Sequence, residues 1–320
     1  MKMIIGKTLF ILVLLLLKSS ELTGQEDDDD NTPDEDELTE EEKKTVFENV
    51  EPRSPGQKNW MAKLDNNKFI SDITIPGTHD TMALYGGSMA KCQTWSLENQ
   101  LKAGIRYLDL RVSGYKLKIM HGIIYQRTSL SEVISTIRKF LQESKNEFVL
   151  VRIKPEFPQK GRVQNLVENL IGNDNNIWKK STIPTIGEVR GKIVLVQKNR
   201  FKLGISLSET DSKGDYKVTK TEDKKKKITQ HLEEANKQCK SNNNNNNNNN
   251  KISLVYSSGT SLGTYKGFCL LPNAVAGEIN PWLNDHLKEL SNKNPKSCFG
   301  IIAMDFPYFE LIEMIIKFNT

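Results

Sequence analysis

Phe148-Val-Leu-Val-Arg-Ile-Lys154 is an apolar run interrupted by one arginine. Its length and its β-branched residues are typical of a buried strand. A helical pattern of apolar residues follows at 163–170, and Lys192-Ile-Val-Leu-Val-Gln197 is a second strand of the same kind. Strands that alternate with helices in this way predict a parallel sheet.

The alternation extends in both directions from this segment. Ser129 and Glu132 form a capping box that opens a helix, and a strand at 69–75 is expected to stop at the Pro76-Gly77 turn. The other predicted strands are 106–111, 117–121, 252–256 and 301–304, and the other predicted helices are 96–103, 222–235, one opened by Asn280 and Pro281, and 311–318. Seven or eight β units of this kind predict an α/β fold, a single, slightly irregular TIM (β/α)8 barrel.

Three segments flank or interrupt the barrel domain, which we assign to residues 45–320. Residues 1–24 are predicted to be a signal peptide, because an apolar run of ten residues is too short to span about 30 Å of hydrocarbon. An uncleaved anchor is the alternative. Residues 25–44 are predicted to be an acidic disordered tail, and the asparagine run at 242–250 a low-complexity surface insertion.

The net charge of +5 conceals a strong asymmetry along the chain. Residues 1–24 carry +2 and residues 25–44 carry −10, so the remaining residues carry +13. A basic folded part favours an anionic partner, such as phospholipid headgroups or a nucleic acid. Because no nucleic-acid-binding motif accompanies the lysines, we expect no nucleic acid partner. One of the lysine-rich segments is a run at 224–227, near the start of a predicted helix.

The four cysteines leave two alternatives open. Their spacing fits no zinc-binding pattern, and an even number in a secretory chain permits one or two disulfides. Cys269 and Cys298 would flank a single helix if they paired, whereas four buried or free thiols are the alternative. The other two cysteines are Cys92 and Cys239.

Ionisable residues lie at the ends of six predicted strands. In parallel α/β barrels these C-terminal strand ends meet on one rim, where the active groups lie. Two of the residues, Asp109 and Arg111, are two positions apart on one strand, so their side chains point the same way. The complete rim set is His79, Asp80, Asp109, Arg111, His121, Lys154, Lys198 and Asp305.

Each rim residue also has an ordinary structural alternative. A histidine can be buried against a backbone carbonyl, and Asp109 with Arg111 can form an ion pair that stabilises the fold. Lys154 can extend to solvent, and Asp305 can cap the helix that follows it. Convergence on one rim favours a functional site. The histidines expected on helices away from the rim are His231 and His286.

The rim set has a chemical logic. Two histidines allow one to remove a proton while the other donates one, as a displacement at phosphorus requires. Arginine can hold phosphate oxygens and offset the charge that develops on them. Since no cluster of carboxylates is predicted to hold a divalent ion, we expect metal-independent phosphodiester cleavage without a cofactor.

Four motifs resemble the X domain of phosphatidylinositol-specific phospholipase C, of the small, single-domain, bacterial type. They are Ile75-Pro-Gly-Thr-His-Asp80, Ala103-Gly-Ile-Arg-Tyr-Leu-Asp-Leu-Arg111, Met120-His-Gly122 and Met304-Asp-Phe306. The resemblance covers roughly residues 55–200 and 251–319. It implies attack of the inositol 2-hydroxyl on the adjacent phosphorus, which releases diacylglycerol and a cyclic inositol phosphate.

The resemblance implies a role for each catalytic residue. His79 matches the general base and His121 the general acid, while Arg111 matches the arginine that stabilises the phosphate. Asp305 matches the aspartate that orients the base, and Asp80 the one that assists the acid.

The resemblance also implies the binding residues and the partners. Asp109 and Lys154 neighbour the inositol and phosphate pocket, and Lys198 stands where the family has an arginine. The segment from Tyr216 to Asp223 matches neither of the sugar-contacting residues of bacterial members. We expect a monomer that acts at a membrane surface on phosphatidylinositol or glycosylphosphatidylinositol, secreted from the cell or in the secretory lumen.

Two alternative functions remain. One is another lipid phosphodiesterase of the glycerophosphodiesterase or sphingomyelinase-D type, which would need a metal-binding carboxylate where Arg111 stands. The other is a catalytically weak phospholipid-binding barrel, against which the presence of both His79 and His121 argues.

Overall fold

A computed structural model describes residues 57–156, 160–198, 201–209, 216–242, 251–262, 264 and 270–320. The predicted signal peptide, the acidic tail and residues 243–250 of the asparagine run lie outside this part of the chain. The strands are β1 (Ile75–Thr78), β2 (Tyr107–Ser113), β3 (Lys118–His121), β4 (Ile124–Ser129), β5 (Val149–Pro155), β6 (Ile177–Trp178), β7 (Ile193–Gln197), β8 (Ile205–Glu209), β9 (Lys251–Tyr256) and β10 (Ile301–Met304).

The predicted barrel is confirmed, and it closes through seven parallel strands. Their order around the barrel is β1, β2, β5, β7, β8, β9 and β10, and β10 pairs again with β1. The short strand β6 pairs with β7 outside this circle. Because all seven strands run in the same direction, their C-terminal ends form one mouth.

The helices are α1 (Leu97–Lys102), α2 (Leu130–Glu143), α3 (Lys160–Ile171), α4 (Ile186–Val189), α5 (Thr221–Asn242), α6 (Pro272–Lys293) and α7 (Phe309–Lys317). The predicted capping box is present, since the Ser129 hydroxyl and the Glu132 carboxylate each accept from the other residue's backbone N–H. Among the described residues, none of the helices combines the length and the apolar character that crossing a membrane requires.

Alternating side chains of β2 and β5 explain how an apolar barrel ends in a charged mouth. Leu108 and Leu110 of β2 pack outward against the helices, whereas Tyr107 packs inside the barrel. The inward positions of the two strands pair as Tyr107 with Leu150, Asp109 with Arg152, and Arg111 with Lys154. The interior is therefore apolar at the N-terminal ends of these strands and ionisable towards their C-terminal ends.

The prediction of a strand at 69–75 that stops at Pro76-Gly77 is wrong. Ile70–Asp72 is a short 3₁₀ helix, and β1 runs through the proline and glycine. The Pro76 carbonyl still accepts a hydrogen bond from the Arg106 N–H at 2.8 Å. A Cβ at position 77 would lie 2.7 Å from the Tyr107 ring, so glycine lets the two strands approach.

The third predicted strand, at 117–121, does not belong to the barrel. It is β3, which pairs antiparallel with β2 and with β4 to form a hairpin that extends from the mouth. His121 is the last residue of β3, so it reaches the site from this hairpin. The sequence analysis did not predict β4, β6 or β8, and the last two have only two and five residues.

The helix predicted to open at Asn280 and Pro281 begins earlier, at Pro272. Leu271 is its N-cap, and Pro272 occupies the first turn, where a missing N–H is harmless. Pro281 lies inside the helix. Pro272, and not Pro281, is therefore the proline that opens this helix.

The end of the barrel opposite the mouth is closed by a buried ion pair. Arg106 and Glu147 are both fully buried, and Arg106 Nε donates to Glu147 Oε2 at 2.8 Å. Their remaining polar atoms bind backbone groups. Glu147 Oε1 accepts from the Met61 N–H, and Arg106 donates to the carbonyls of Lys58, Leu101 and Ile105. Such a pair is stable when its hydrogen bonds are satisfied.

Cys298 forms a disulfide with Cys239, so the pairing with Cys269 that the sequence suggested is wrong. Cys269 lies outside the described residues. The Cα atoms of Cys239 and Cys298 are 6.0 Å apart, and the bond joins α5 to the segment that enters β10. Because the two cysteines are 59 residues apart in sequence, their proximity depends on how α5 packs and not on local spacing. Cys92 is a buried free thiol.

Replacing both Cys239 and Cys298 by alanine is expected to lower the free energy of unfolding by about 2–4 kcal/mol, because the bond closes a long loop. Urea denaturation of the oxidised protein measures the loss. Wild-type protein in dithiothreitol should fall to a similar stability. A peptide map that links Cys298 to Cys269 would contradict the pairing.

Candidate active site

At the mouth of the barrel, the side chains of seven of the eight predicted rim residues contact one another or Glu156. The ends of β1 and β10 carry His79, Asp80 and Asp305, while β2 carries Asp109 and Arg111. The other two are His121 on the β3 hairpin and Lys154 on β5. Lys198, the eighth, follows β7 directly and is half-buried.

His79 and Asp305 form a buried pair. His79 Nδ1 lies 2.9 Å from Asp305 Oδ1, because β1 and β10 pair in register up to the preceding residues. His79 Nε2 lies 2.7 Å from an Arg111 nitrogen. Since a guanidinium can only donate, Nε2 carries the lone pair and Nδ1 donates its proton to Asp305. Asp305 therefore fixes the tautomer of His79, and it does not cap α7, whose N-cap is Tyr308.

The pKa values of this pair follow from burial. Burial lowers the pKa of His79 well below its usual range, and the positive charges of Arg111 and His121 lower it further. Burial also raises the pKa of Asp305 well above its usual range, and Asp80 adds to the effect. His79 is thus a neutral imidazole whose lone pair faces the mouth.

Arg111 is the centre of the site. One of its terminal nitrogens lies 2.9 Å from Asp80 Oδ2, and the other binds His79 and lies 3.8 Å from Asp109 Oδ2. Glu156, just beyond β5, is 4.0 Å away. Burial alone would lower the pKa of Arg111, but Asp80 and Asp109 raise it above its ordinary value, so the guanidinium keeps its charge.

His121 faces a hydrogen-bond acceptor with each ring nitrogen. Nδ1 lies 2.7 Å from the Ala90 carbonyl oxygen, and Nε2 lies 3.3 Å from Asp80 Oδ2. A contact with a backbone carbonyl is what a purely structural histidine would make. His121 makes that contact and also contacts the Asp80 carboxylate. A ring nitrogen that faces a carboxylate oxygen can donate a proton.

Asp80 links the two halves of the site, since Oδ2 contacts both Arg111 and His121. Burial raises its pKa, and the charge of Arg111 opposes the shift. For Asp109, burial would also raise the pKa, but Arg152 and Arg111 bring it below its ordinary value. Asp109 Oδ1 lies 3.8 Å from Arg152, which donates to the Tyr256 hydroxyl at 2.5 Å.

Lys154 lies at the outer edge of the site and is partly exposed. Its ammonium is 3.5 Å from Glu156 Oε1. Because Glu156 also lies close to Arg111, the two cations stand on either side of one carboxylate. Sequence reasoning did not assign Glu156 or Arg152 to the site, since neither belongs to the four family motifs. The available signal was their position two residues before and after Lys154, on the same side of the chain as it leaves β5.

Two buried amides hold the strand ends that carry the site. Gln93 Nε2 donates to the His79 carbonyl at 2.7 Å and to the Met304 carbonyl at 3.0 Å. Asn280 Nδ2 donates to the carbonyls of Asp305 and Phe306, both at 2.9 Å. No sequence pattern indicated Gln93, and Asn280 was predicted only as a helix start.

The backbone is strained at the same two strand ends. Asp80 and Phe306 have positive φ angles of 43° and 45°, which are uncommon for residues with a side chain. The Asp80 N–H points to Asp109 Oδ2 at 3.4 Å, and the Phe306 N–H donates to the Cys92 carbonyl at 3.0 Å. These contacts keep the two residues in their strained backbone conformation and set the direction of the Asp80 side chain.

Two tyrosine rings enclose His79. The Tyr216 ring centre lies 5.0 Å away at a tilt of 41°, and the Tyr256 ring centre lies 5.5 Å away, edge-on. Burial raises the pKa of Tyr216 well above its usual range. The segment that begins at Tyr216, which the sequence left unmatched, therefore does reach the site.

Three side chains of the metal-ligating type come close within the described residues. Ligand atoms of His79, Asp80 and Cys92 lie within 4.8 Å of one another. Burial, together with Asp305 and Asp80, raises the pKa of the Cys92 thiol well above its usual range. A protonated thiol is a poor ligand, and Asp80 already binds Arg111 at 2.9 Å. The chemistry of this set favours a packed thiol over a metal site.

Comparison with known proteins agrees with this geometry. The family "Phosphatidylinositol-specific phospholipase C, X domain" matches residues 67–199. The 1-phosphatidylinositol phosphodiesterase of Listeria monocytogenes is 31% identical over 291 residues, or 82% of this chain and 85% of the relative. The protein of that name from Staphylococcus aureus strain Newman is 27% identical over 159 residues, or 44% of this chain and 51% of the relative.

Two solved structures resemble the barrel. Phosphatidylinositol-specific phospholipase C from Listeria monocytogenes has a TM-score of 0.71 and 29% identity, covering 82% of this chain and 99% of that one. The Staphylococcus aureus phospholipase has a TM-score of 0.67 and 23% identity, covering 84% and 99%, a likeness that shows the fold alone.

Fold and site together define a parallel α/β barrel whose mouth holds two carboxylate-bound histidines and an arginine. The chain belongs to the phosphatidylinositol-specific phospholipase C family, as its motifs predicted.

The pKa of His79 can be measured by NMR titration of its ring nitrogens. We expect the ring to stay neutral at pH 5.5, because burial and Arg111 both oppose a second proton. In Arg111→Gln the pKa should rise, since a positive neighbour is lost while Asp305 remains. A wild-type His79 that titrates near 6.5, or a pKa that the substitution leaves unchanged, would contradict the proposed electrostatics.

Proposed function

We propose that this protein is a phosphatidylinositol-specific phospholipase C that cleaves its lipid without a metal ion. The observation that carries the proposal is the pair of histidines, which contact Arg111 and Asp80 at opposite ends of one connected group. One imidazole is held neutral, and the other faces an acceptor with each ring nitrogen, so it is placed to donate a proton. That is the division of labour that acid–base catalysis at phosphorus requires.

His79 acts as the general base. With Nδ1 bound to Asp305, its free electron pair at Nε2 takes the proton of the inositol 2-hydroxyl. The hydroxyl oxygen then forms a bond to the adjacent phosphorus. Because Nε2 is bound by an Arg111 nitrogen, the guanidinium must move towards the substrate phosphate before Nε2 can accept a proton. The base is thereby released when the substrate binds.

His121 acts as the general acid. As the new phosphorus–oxygen bond forms, the bond to the diacylglycerol oxygen breaks, and His121 gives that oxygen a proton. The products are diacylglycerol and a cyclic inositol phosphate. Asp80 contacts Nε2 of His121 beforehand and remains next to Arg111. One proton enters the protein at His79 and one leaves at His121, so protons balance over the step.

Arg111 stabilises the phosphate as negative charge develops on its equatorial oxygens. Its two terminal nitrogens can hold two oxygens at once, and its neighbouring carboxylates keep it charged. A preorganised donor in a water-poor site contributes more than it would in water. This is the part of the reaction that a metal ion supplies in other phosphodiesterases.

The headgroup pocket lies between β2, β5 and β7. Asp109 and Lys154 line the wall beside Arg111, and Lys198 continues it after β7. A lysine offers a point charge where an arginine would offer a two-pronged contact. The Tyr216 ring closes the opposite side over His79. Phosphatidylinositol, or its glycosylated form, fits a pocket that combines these donors with an aromatic wall.

The protein acts as a monomer at a phospholipid surface and is secreted or resides in the secretory lumen. Ile123 lies two residues after His121, and Met89 precedes Ala90, whose carbonyl contacts His121; each of the two residues is about half exposed. Apolar side chains at the mouth suit contact with lipid. The N-terminal apolar run supports export, and the disulfide suits an oxidising compartment.

The experiment that tests the proposal measures turnover of phosphatidylinositol vesicles in excess EDTA. Wild-type protein should produce a cyclic phosphate, which ³¹P NMR identifies. His79→Ala and His121→Ala should each lose at least a factor of roughly 10²–10⁴, the usual contribution of a general acid or base. The matched control is His286→Ala, since His286 stacks on Trp282 away from the mouth and should keep full activity.

Two results would overturn the mechanism. One is turnover like that of the wild type in His121→Ala, because diacylglycerol alkoxide is too poor a leaving group to depart unaided. The other is activity that EDTA abolishes and calcium restores, which would remove the role given to Arg111. Lipid binding without turnover in the wild type would support a binding barrel instead.

The rate is expected to peak between an acidic and a basic limb. The acidic limb reports protonation of His79, whose lowered pKa places the limb below the usual histidine range near 6.5. The basic limb reports loss of the proton from His121. Steady-state kcat/KM on a soluble short-chain substrate from pH 4 to 9 measures both limbs. A rate that stays constant down to pH 4 and up to pH 9 would contradict the scheme.

A further inference from the structure

His121 reaches the site from outside the barrel. It is the last residue of β3, and β3 pairs with the barrel strand β2 at two positions. The imidazole nevertheless lies 3.3 Å from Oδ2 of Asp80, just after β1. Contacts other than this short ladder must therefore hold the hairpin against the barrel.

The second strand of the hairpin, β4, has an unusual pattern of burial. It is the last strand in the order of the sheet. Gln126 is 2% exposed, whereas the other residues of β4 are partly or fully exposed. A glutamine is rarely the most buried residue of a strand, because a buried amide needs a partner for each of its hydrogen-bonding groups. The partners of Gln126 explain its burial.

The Gln126 amide holds the loop that follows β1. Its Oε1 accepts from the N–H groups of Leu84 and Tyr85, each at 2.9 Å, and its Nε2 donates to the Tyr85 carbonyl at 3.2 Å. The next residue, Arg127, places its guanidinium 4.2 Å from the centre of the Tyr85 ring. Two consecutive residues of β4 thus hold Tyr85 by its N–H, its carbonyl and its ring.

The same loop carries the acceptor of His121. Gly86 has a φ of 107°, and a Cβ there would lie 2.8 Å from Ile124 and 2.9 Å from Ala90, so the loop turns closely against the hairpin. The Ala90 carbonyl oxygen lies 2.7 Å from His121 Nδ1. Because a carbonyl oxygen can only accept, Nδ1 donates to it, and Nε2 is left facing Asp80.

The far end of the loop is joined to the barrel. The Cys92 N–H donates to the Ala83 carbonyl at 2.9 Å, so the two ends of the loop meet. The Cys92 carbonyl accepts from the Phe306 N–H at 3.0 Å, next to Asp305. The loop therefore contacts the end of β10 on one side and the hairpin on the other, and Gln126 joins the hairpin to it.

The hydrogen bonds of Gln126 fix a direction as well as a distance. An apolar side chain of the same size would pack against the loop without orienting it, since the hydrophobic effect is non-directional and hydrogen bonds are directional. The Ala90 carbonyl belongs to the same loop as Tyr85. A shift of the loop relative to the hairpin would therefore move this acceptor away from His121 Nδ1.

We propose that Gln126 is a positioning residue for the general acid, because it fixes the arrangement in which the Ala90 carbonyl holds His121 Nδ1 and Nε2 faces the leaving oxygen. This inference rests on the proposed function, in which His121 gives a proton to that oxygen. A catalytic group displaced by about 1 Å loses on the order of a hundredfold in rate. A leaving group that departs without a proton does not need the acid, so its departure should not depend on Gln126.

The test compares two soluble substrates that differ in their leaving groups. One is a short-chain phosphatidylinositol, whose alkoxide must be protonated, and the other is a nitrophenyl ester of inositol phosphate, whose phenolate departs unaided. Gln126→Met keeps the size of the side chain and removes its hydrogen bonds. Its kcat on the lipid should fall roughly a hundredfold, whereas its kcat on the nitrophenyl ester and its KM for both substrates should stay close to the wild-type values.

The matched control is Gln100→Met. Gln100 is fully buried on α1, and its amide bonds Thr78, Thr81 and the Trp95 carbonyl. Its replacement should also lower the free energy of unfolding, because buried polar groups lose their partners. The ratio of the two rates should stay that of the wild type, since the contacts of Gln100 do not involve the hairpin.

A second variant, Gln126→Glu, keeps the acceptor of the two N–H groups and loses the donor. Its ratio of the two rates should lie between those of the wild type and Gln126→Met. This variant also decides the question if Gln126→Met does not fold.

Proton NMR gives a readout that does not depend on activity. A hydrogen-bonded proton in an ordered segment exchanges slowly with water. The His121 Nδ1 proton, which the Ala90 carbonyl holds, should be visible in the wild type and lost in Gln126→Met. The His79 Nδ1 proton, which Asp305 holds, should remain in both proteins.

Three outcomes overturn the proposal. Gln126→Met could lose rate equally on both substrates, which would show that Gln126 only stabilises the fold. It could keep both rates, which would show that the acid does not depend on it. The His121 ring proton could remain in the variant as it is in the wild type. If the wild type hydrolyses neither substrate, the proposed function fails, while the ring proton still decides whether Gln126 positions His121.

Discussion

The Arg111 guanidinium holds the mouth of the barrel together. Asp80 and Asp109 lie within 4 Å of it, and both are almost fully buried. Two charges at such a distance interact by about 4 kcal/mol at the effective dielectric constant of a partly buried site. Without the arginine, the buried carboxylate of Asp80 would lose its guanidinium partner and that of Asp109 would keep only Arg152 as a neighbouring arginine. The same contact that stabilises the mouth thus keeps a cation where a phosphate must bind.

Histidine chemistry depends on this arrangement as well. His79 accepts from Arg111 and donates to Asp305, and these two contacts determine which ring nitrogen carries the proton. His121 contacts Asp80, which binds the same guanidinium. The two imidazoles therefore differ in their hydrogen-bond partners although both belong to one network, because Nε2 of His79 faces a donor and both ring nitrogens of His121 face acceptors.

Rigid support for the network comes from uncharged groups. The amides of Gln93 and Asn280 bind the carbonyls at the ends of β1 and β10, and glycine at position 77 lets β1 approach β2.

At the opposite end of the barrel, Arg106 and Glu147 are closed off from solvent with their hydrogen bonds satisfied. Ionisable groups are thus confined to the two ends, and the middle is apolar. The apolar middle stabilises the barrel, so the mouth can contain buried charges and strained backbone that function requires.

Much of the site could be predicted from the sequence because it follows from strand periodicity. The spacing of Asp109 and Arg111 places both side chains on one face, and parallel pairing brings the ends of β1 and β10 together. The strand beginning at Phe148 and the capping box at Ser129 are local patterns, and both are confirmed. The roles of the rim residues in catalysis stay predictions for the experiments above.

Only the tertiary structure decided how distant segments meet. His121 comes from an antiparallel hairpin, Cys298 pairs with Cys239 across 59 residues, and Tyr216 packs on His79. None of these contacts has a local signal, because each depends on how loops and helices pack around the closed barrel. Pro76 and Pro281 show the same limit in the opposite sense. Local rules predict that each proline marks the boundary of an element, whereas the structure places the two prolines inside β1 and α6. Packing against neighbouring elements outweighs the preference of one residue.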